Sequence, residues 1–320
     1  MDVNRTSRLF REISREEISA LFQAALGEGE IRTSRLLQGG LFNTTYYVEY
    51  GPEPRQAVLR LGPVNRHLLM GHERDLMAAE VRMGALCREA GVPCSRVLAW
   101  DDSRQSFGRD YMIAAYIPSV VMAEAPLPEG ERARLRRQMA AYLSRLHQVE
   151  GDCFGYLSRI CRGVRFASWR DAFLFEAEDI LTRMEAYGLF SPEDFAALRR
   201  RFAAGGPALD EVTTPRLLHT DMWEGNVLLT EDCREIAAII DGDRAVFGDT
   251  DFEFASGWGA CLAPLCGQEP PEAGGPARRE RIALYRLYYH LLEAYVWAAE
   301  YDGPAVCRER RDTVLALLRA

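Results

Sequence analysis

The sequence predicts an α+β protein, with strands crowded into the N-terminal third and helices filling the remainder. Short β-branched and aromatic runs punctuated by Gly and Pro recur between residues 31 and 116. Apolar residues at helical spacing dominate after Val120. At 320 residues, the chain can build one large domain or two lobes around a packed core.

Taken in order, Ile18, Leu21, Phe22, Ala25 and Leu26 fall on one helical face that stops at Gly27 and Gly29. This reads as a packing or lid helix with no chemistry of its own. Three strands follow. Leu36-Leu37-Gln38 leads into Gly39-Gly40-Leu41-Phe42-Asn43, residues 44–50 form the second strand, and residues 57–61 the third, after a turn at Gly51-Pro52 and Pro54. A glycine pair between strands either turns a plain hairpin or lets the backbone approach a phosphate closely. A long helix is expected over about 68–90, ended by Gly91-Val92-Pro93. Residues 97–100 and 111–116 read as two more strands, before Ile117-Pro118-Ser119 breaks the pattern.

The helical part begins with residues 129–150, where Leu135, Met139, Tyr142, Leu143 and Leu146 share a face that runs to His147. Residues 169–187 form a helix rich in acids (Asp171, Glu176, Glu178, Asp179, Glu185), most of them expected on a solvated face. Ser191-Pro192-Glu193 has the N-cap and N1 chemistry of a further helix start. A Pro/Gly-rich loop over 261–275 precedes helices at about 278–301 and 306–318. The stripe Tyr285, Tyr288, Tyr289, Tyr295 and Trp297 reads as core or, alternatively, as an aromatic pocket for a quaternary ammonium group.

Composition removes several classes. A net charge of -8 argues against a nucleic-acid-binding surface. No apolar run is long enough to span a membrane and the first residues lack a signal-peptide core, so a cytoplasmic protein is expected. The eight cysteines are scattered without C-x-x-C spacing, as reduced core thiols would be. All 39 cationic side chains are arginine. That excludes a Walker-A lysine and any Schiff-base enzyme. No protein partner is predicted.

The chemistry concentrates in residues 215–255. Two apolar runs, Asn226-Val227-Leu228-Leu229 and Ile236-Ala237-Ala238-Ile239-Ile240, form a hairpin preceded by His219-Thr220-Asp221 and followed by Asp241. The hairpin brings Asp221, Asn226 and Asp241 to one rim. Two carboxylates and an amide oxygen there suit a hard divalent cation and a hydroxyl nucleophile, the parts that phosphoryl transfer needs. Asp249, Asp251 and Glu253 precede the apolar run around Trp258 and read as caps and loop-ordering groups.

His219-x-Asp221-x-x-x-x-Asn226, an apolar strand and then Asp241 resemble the catalytic and metal-binding segments of the protein-kinase-like small-molecule kinases. The likeness is greatest to the aminoglycoside phosphotransferase and fructosamine kinase group. His-Thr-Asp-Met-Trp-Glu-Gly-Asn is similar to that group's His-Gly-Asp-Leu-Trp-x-Gly-Asn, with Thr220 in place of the usual Gly, and Gly248-Asp249 through Phe252-Glu253-Phe254-Ala255 matches its downstream stretch. The resemblance implies a two-lobe kinase-like fold, with residues 1–115 as nucleotide-binding lobe and 116–320 as helical lobe carrying the catalytic loop and acceptor site. It implies transfer of the γ-phosphate of ATP, with Mg2+, to a hydroxyl of a small molecule: an aminoglycoside, ketosamine, amino alcohol or sugar.

The resemblance also assigns expected roles. Asp221 orients the hydroxyl or accepts its proton, while Asn226 and Asp241 hold the metal. Gly39, Gly40, Asn43 and Thr44 belong to the loop over the nucleotide, Asn43 and Thr44 donating to phosphate oxygens. Arg60 stands where the group usually carries a phosphate-binding lysine, paired with Glu80 in preference to Glu73. The carbonyl of Ala115 and the amide of Ile117 would read adenine at a hinge. Trp223 and Glu224, inside the catalytic loop, would touch the acceptor, although Trp223 reads equally as core. His219 and His147 are expected to be structural, and the acidic helix over 169–187 is a candidate wall for a cationic acceptor. Two other readings stand beside this one. A nucleotide-binding pseudokinase is suggested by Arg60 and Thr220, and a metal-dependent hydrolase would use His219, Asp221, Asp241 and Asp243 as ligands.

Overall fold

The structure, a computed structural model, describes residues 7–37, 42–270 and 273–319. Helix α1 (Arg15–Leu26) starts at a capping box between Ser14 and Glu17 and ends where Gly27 turns left-handed at φ 74°. An antiparallel sheet follows: β1 (Ile31–Leu36), β2 (Thr44–Tyr50), β3 (Arg55–Leu61), β4 (Val97–Asp101) and β5 (Tyr111–Ala115), in the order β1-β2-β3-β5-β4. Strand alternation sorts β3 into two faces. Ala57, Leu59 and Leu61 are wholly buried and share a core with Ile18, Leu21 and Phe22 of α1. Val58 and Arg60 therefore point to the opposite face, with Arg60 level with Thr45 on β2 and Met112 on β5.

The helix expected over 68–90 is shorter. Helix α2 spans Leu76–Glu89, and two separate 3-10 turns, Arg66–Leu68 and Gly71–Glu73, precede it. Tertiary bonds override the helical pattern there. The Gly71 amide donates to Asp179 Oδ2 at 2.8 Å, the Ser158 hydroxyl donates to the His72 carbonyl, and His72 Nδ1 lies 3.2 Å from Glu176 Oε2. A side chain at Gly71 would collide with the Arg159 guanidinium, which needs that space to reach Glu176 at 2.9 Å. Glu176 is thus buried, contrary to the solvated face expected of its helix, while Asp171, Glu178 and Glu185 are exposed.

Two small sheets lie beyond the first: β6 (Val120–Val121), β9 (Val227–Leu229) and β10 (Ile236–Ile239), and β7 (Gly155–Tyr156), β8 (Arg216–Leu218) and β11 (Val246–Gly248). Helices α3 (Glu129–Leu146), α4 (Leu157–Cys161), α5 (Trp169–Met184), α6 (Pro192–Ala204), α7 (Gly206–Leu209), α8 (Thr250–Phe254), α9 (Pro276–Ala299) and α10 (Pro304–Arg319) complete the fold. Tyr285, Tyr288 and Tyr295 of α9 are buried against Trp169, Phe173, Tyr187 and Phe252. They are core, which overturns the ammonium-pocket alternative for these rings. The inner face of α2 (Ala79, Met83, Leu86, Cys87) joins α3, β9 and β10 in one continuous core, so the helix that carries Glu80 is seated on the strands that carry the catalytic segment. No helix among the described residues is long and apolar enough to cross a membrane.

The segment before α1 spans both lobes. Arg8 donates from its backbone amide to the Glu300 carbonyl at 2.9 Å and from its side chain to the carbonyls of Ala298 and Ala299. A few residues on, the Val64 amide donates to the Leu9 carbonyl and Thr44 bonds to Arg11. Leu9 and Phe42 pack with Leu69, Leu76 and Tyr301. The chain also passes between the lobes after β5, where the Tyr116 amide donates to the Gln56 carbonyl at 3.2 Å.

Candidate active site

The expected hairpin forms, β9 antiparallel to β10 with Val227 opposite Ile239. The Ile240 amide donates to the Asn226 carbonyl at 3.0 Å, which sets Asp241 beside Asn226. Asn226 is buried, and its Nδ2 donates to both the carbonyl and Oδ2 of Asp221 at 2.9 Å. With its amide nitrogen committed to Asp221, Asn226 keeps its Oδ1 as a lone-pair donor. Asp221, Asn226 and Asp241 are therefore brought together.

The segment holding Asp221 is clamped from behind. Glu253, 1 % exposed, accepts from the His219 amide at 2.7 Å and the Thr220 amide at 2.8 Å. Thr220 is left-handed at φ 63°, a conformation that strains a β-branched residue and explains why Gly is usual at this point in the motif. Three bonds hold it there. Besides its amide, its hydroxyl donates to the Arg244 carbonyl at 2.9 Å, and its carbonyl accepts from Trp258 Nε1 at 3.0 Å. His219 is buried, and its Nδ1 accepts from the Asp221 amide at 3.3 Å. Asp249 caps α8 and takes bonds from Arg281 and Tyr285, while Asp251 is gripped by Arg278. All three downstream acids have the ordering roles read from the sequence.

Arg60 reaches across the cleft from β3. One guanidinium nitrogen binds both oxygens of Glu80, and the other lies 2.6 Å from Asp241 Oδ1 and 3.3 Å from Asp243 Oδ2. Glu73, the competitor, has its own cation, Arg244, at 2.9 Å. Arg244 also stacks over the Phe42 ring at 5.1 Å. Arg244 thus joins the site, as does Asp243, which the sequence reading named only as a ligand of the hydrolase alternative; the available signal was a second acid and a cation within three residues of Asp241. Gly242 allows the close packing, because a Cβ there would lie 2.6 Å from Met83 Cγ of α2.

Charge in this cluster is unbalanced: Glu73, Glu80, Asp221, Asp241 and Asp243 face Arg60 and Arg244. Burial pushes the Asp221 carboxyl up to about 7; Arg244 opposes the shift, and Asp241 and Asp243 add to it. Burial likewise pushes Asp243 and Glu80 up, against the pull of Arg60. An excess of desolvated carboxylates around an amide oxygen is a donor set that suits a hard divalent cation. His219, by contrast, turns its Nδ1 to the Asp221 amide. One nitrogen of the histidine named in the hydrolase reading is thereby taken up by the backbone.

The remaining expected residues divide. Asn43 is buried with Oδ1 lacking a hydrogen-bond partner. Thr44 departs from expectation: it is wholly buried, its hydroxyl donating to the Arg11 carbonyl and accepting from Arg109 at 3.2 Å, so it is committed to structure rather than to phosphate. Burial of β2 against the strap before α1 is the reason. Gly39 and Gly40 lie outside the described residues. The Ala115 carbonyl accepts from Ser95 Oγ at 2.9 Å and keeps a second lone pair. A recess of about 400 Å³ is lined by Arg35, Tyr47, Gln56, Tyr116, Pro118 and Glu231; Ala115 and Ile117 are not among its lining residues. Trp223 is 45 % exposed and is not core. Its indole lies across Gly225, where a Cβ would fall 2.2 Å from the ring. Glu224 is gripped by Arg132 and by Arg136 at 2.7 Å, which ties the loop to α3. His147 is buried 3.6 Å from Glu253.

A sequence model of the phosphotransferase enzyme family matches residues 33–288, most of the chain and every site residue described above. The chain belongs to that family. No curated protein matches the sequence. Among solved structures, this phosphotransferase is similar to a thermostable mutant of aminoglycoside phosphotransferase APH(4)-Ia in ternary complex with AMP-PNP and hygromycin B (TM-score 0.65, 19% identity, 95% of this chain and 98% of that one). It is also similar to a "putative fructosamine-3-kinase" from Thermobifida fusca YX-ER1 (TM-score 0.65, 18% identity, 95% and 99%). A third is the streptomycin-ATP-APH(2")-IIa ternary complex (TM-score 0.62, 18% identity, 97% and 98%). The phosphotransferase thus has the two-lobe α+β kinase-like fold of these structures.

Proposed function

We propose that this phosphotransferase moves the γ-phosphoryl group of ATP to a hydroxyl of a small molecule, with magnesium as the metal. The observation that carries the reading is the linked set Asp221–Asn226–Asp241–Arg60–Glu80, which joins a base, a cation-binding rim and a phosphate clamp through bonds of 2.6 to 3.0 Å and the Arg60–Glu80 pair. ATP and AMP-PNP in the complexes of similar proteins support the choice of nucleotide.

Asn226 Oδ1 and Asp241 would hold the metal, which supplies charge neutralisation across the phosphate oxygens when bound. Asp221, raised by burial to about 7, is a stronger base than an exposed aspartate and accepts the proton of the attacking hydroxyl. Its fixed position does as much as its basicity: Asn226 holds the carboxylate in front and Glu253 holds the backbone behind. Arg60, braced by Glu80, presents a planar cation to the phosphates from β3. The recess lined by Tyr47, Tyr116 and Pro118 takes the adenine, and Trp223 offers an exposed ring to the acceptor.

ADP release with Mg·ATP across pooled aminoglycosides, ketosamines, amino alcohols and sugars tests the reading. Turnover in one pool, absent in Asp221→Ala, is the expected result. Nucleotide binding with no turnover in any pool, equal in both proteins, would overturn it in favour of a pseudokinase.

A further inference from the structure

Away from the active-site chemistry, two cysteines form a pair. Cys87 sits near the end of α2 and is 3 % exposed; Cys94 is half-buried, and both are free thiols. The chain doubles back between them. The Val92 amide donates to the Cys87 carbonyl at 2.8 Å, and Gly91 takes φ 66°, a left-handed conformation that glycine adopts without strain. The turn lays Cys94 Sγ 3.5 Å from the carbonyl of Gly84, one helical turn before Cys87 on the same face of α2. The two thiols and the Arg88 guanidinium lie close enough to perturb one another electrostatically. Cys94 also stands in a parallel bridge with Ile239, and the Ile239 amide donates to the Pro93 carbonyl at 2.9 Å. The pair therefore ties the helix that carries Glu80 to the strand that delivers Asp241.

We propose that Cys94 and Cys87 are a redox modification site, an attacking and a resolving thiol that close a disulfide on exposure to a hydroperoxide. Cys94 is the attacking group because it is the accessible member and has both a thiol and a guanidinium close by to stabilise its thiolate, which lowers its pKa while that of Cys87 rises. The Cys94 thiolate attacks the peroxide oxygen, giving a sulfenic acid and, after protonation of the leaving hydroxide, water. The Cys87 sulfur then attacks the sulfenic sulfur, and its proton leaves with the hydroxyl as a second water. The peroxide is reduced by two electrons and the two thiols supply them. Closure draws the sulfurs to a bond of about 2 Å, pulling the end of α2 against the segment laddered to β10. The inference does not depend on the reaction that the active site performs.

The test uses the full chain, reduced, exposed to substoichiometric hydrogen peroxide at neutral pH, alkylated and digested with trypsin without reductant. Cleavage after Arg82, Arg88 and Arg96 separates Cys87 and Cys94 onto peptides 83–88 and 89–96. The expected product is these two peptides joined, released by dithiothreitol, and formed at least about 10-fold faster than oxidation of the exposed Cys161. In Cys87→Ser, Cys94 is expected to stop at a sulfenic acid trapped by dimedone. Oxidation of Cys161 or Cys261 ahead of Cys94, or joined peptides that pair Cys94 with any cysteine but Cys87, would overturn the proposal. The unsubstituted chain decides this even where a variant fails to fold.

Discussion

Glu253→Gln isolates the clamp behind the catalytic loop. The substitution keeps shape and volume but leaves one acceptor oxygen where the structure uses two, at 2.7 Å to the His219 amide and 2.8 Å to the Thr220 amide. A hydrogen bond to a charged group contributes about 1.5–3 kcal/mol, and a buried amide left unsatisfied costs about 1–3 kcal/mol. These describe largely the same loss. Glu253 is 1 % exposed, so water does not replace the missing acceptor, and the new NH2 group faces a second donor. The expected loss of stability is about 2–4 kcal/mol. Urea denaturation followed by tryptophan fluorescence measures it. ADP release should fall by about 10²-fold, because the same two amides fix the backbone on either side of the base. A variant within about 0.5 kcal/mol of the parent would refute the clamp, since that is the range of changes on an open surface.

Arg60→Ala leaves Glu80, Asp241 and Asp243 without their shared guanidinium; it should lower stability by about 3–5 kcal/mol, and added Mg2+ should recover part of that loss as a rise in Tm larger than in the parent. A Tm in the variant that ignores Mg2+ would count against the cation rim. Gly242→Ala forces a Cβ to within 2.6 Å of Met83 Cγ and should cost about 1–3 kcal/mol with a displaced Asp241, read by denaturation and by weakened Mg2+ binding; an unchanged protein would show that α2 yields freely. Burial raises the Glu176 carboxyl, but His72 and Arg159 outweigh it and hold the group below its ordinary value. Its contribution is therefore full above the unfolded-state pKa and is lost as pH falls through the lower folded-state value. Glu176→Gln should flatten the acid limb of a stability–pH curve, and an unaltered limb would contradict the assignment.

The parts of the site that were legible in the sequence are those fixed by short-range geometry. Asp221, Asn226 and Asp241 flank a two-strand hairpin whose apolar runs and turn are local, so their convergence follows from spacing alone. Arg60 and Glu80 lie on a strand and a helix of ordinary pattern, and a resemblance to known motifs was enough to pair them. Contacts set by distant segments were not legible. Thr44 was read as a phosphate donor because nothing near it in sequence reveals Arg109 or Arg11, which consume its hydroxyl. The start of α2 was placed eight residues early because Asp179, Ser158 and Glu176, about a hundred residues on, hold Gly71 and His72 out of the helix. Thr220 looked like a lesion in the motif. Its left-handed strain, about 1–2 kcal/mol, is offset by three bonds, to Arg244, Glu253 and Trp258, that spacing cannot show.

The strap before α1 has a mechanical consequence. Strand β3 is fastened at its beginning, where Tyr116 bonds to Gln56, and again just past its end, where Val64 bonds to Leu9 and Arg8 grips the last turn of α9. A lobe joined at a single link swings open like a jaw. One pinned at both ends of the same strand has its unpaired edges at β1 and β4, while Arg60 lies on the strand that carries the fastenings. A chain shortened past Arg8 would lose one of the two fastenings, the bonds to Ala298, Ala299 and Glu300.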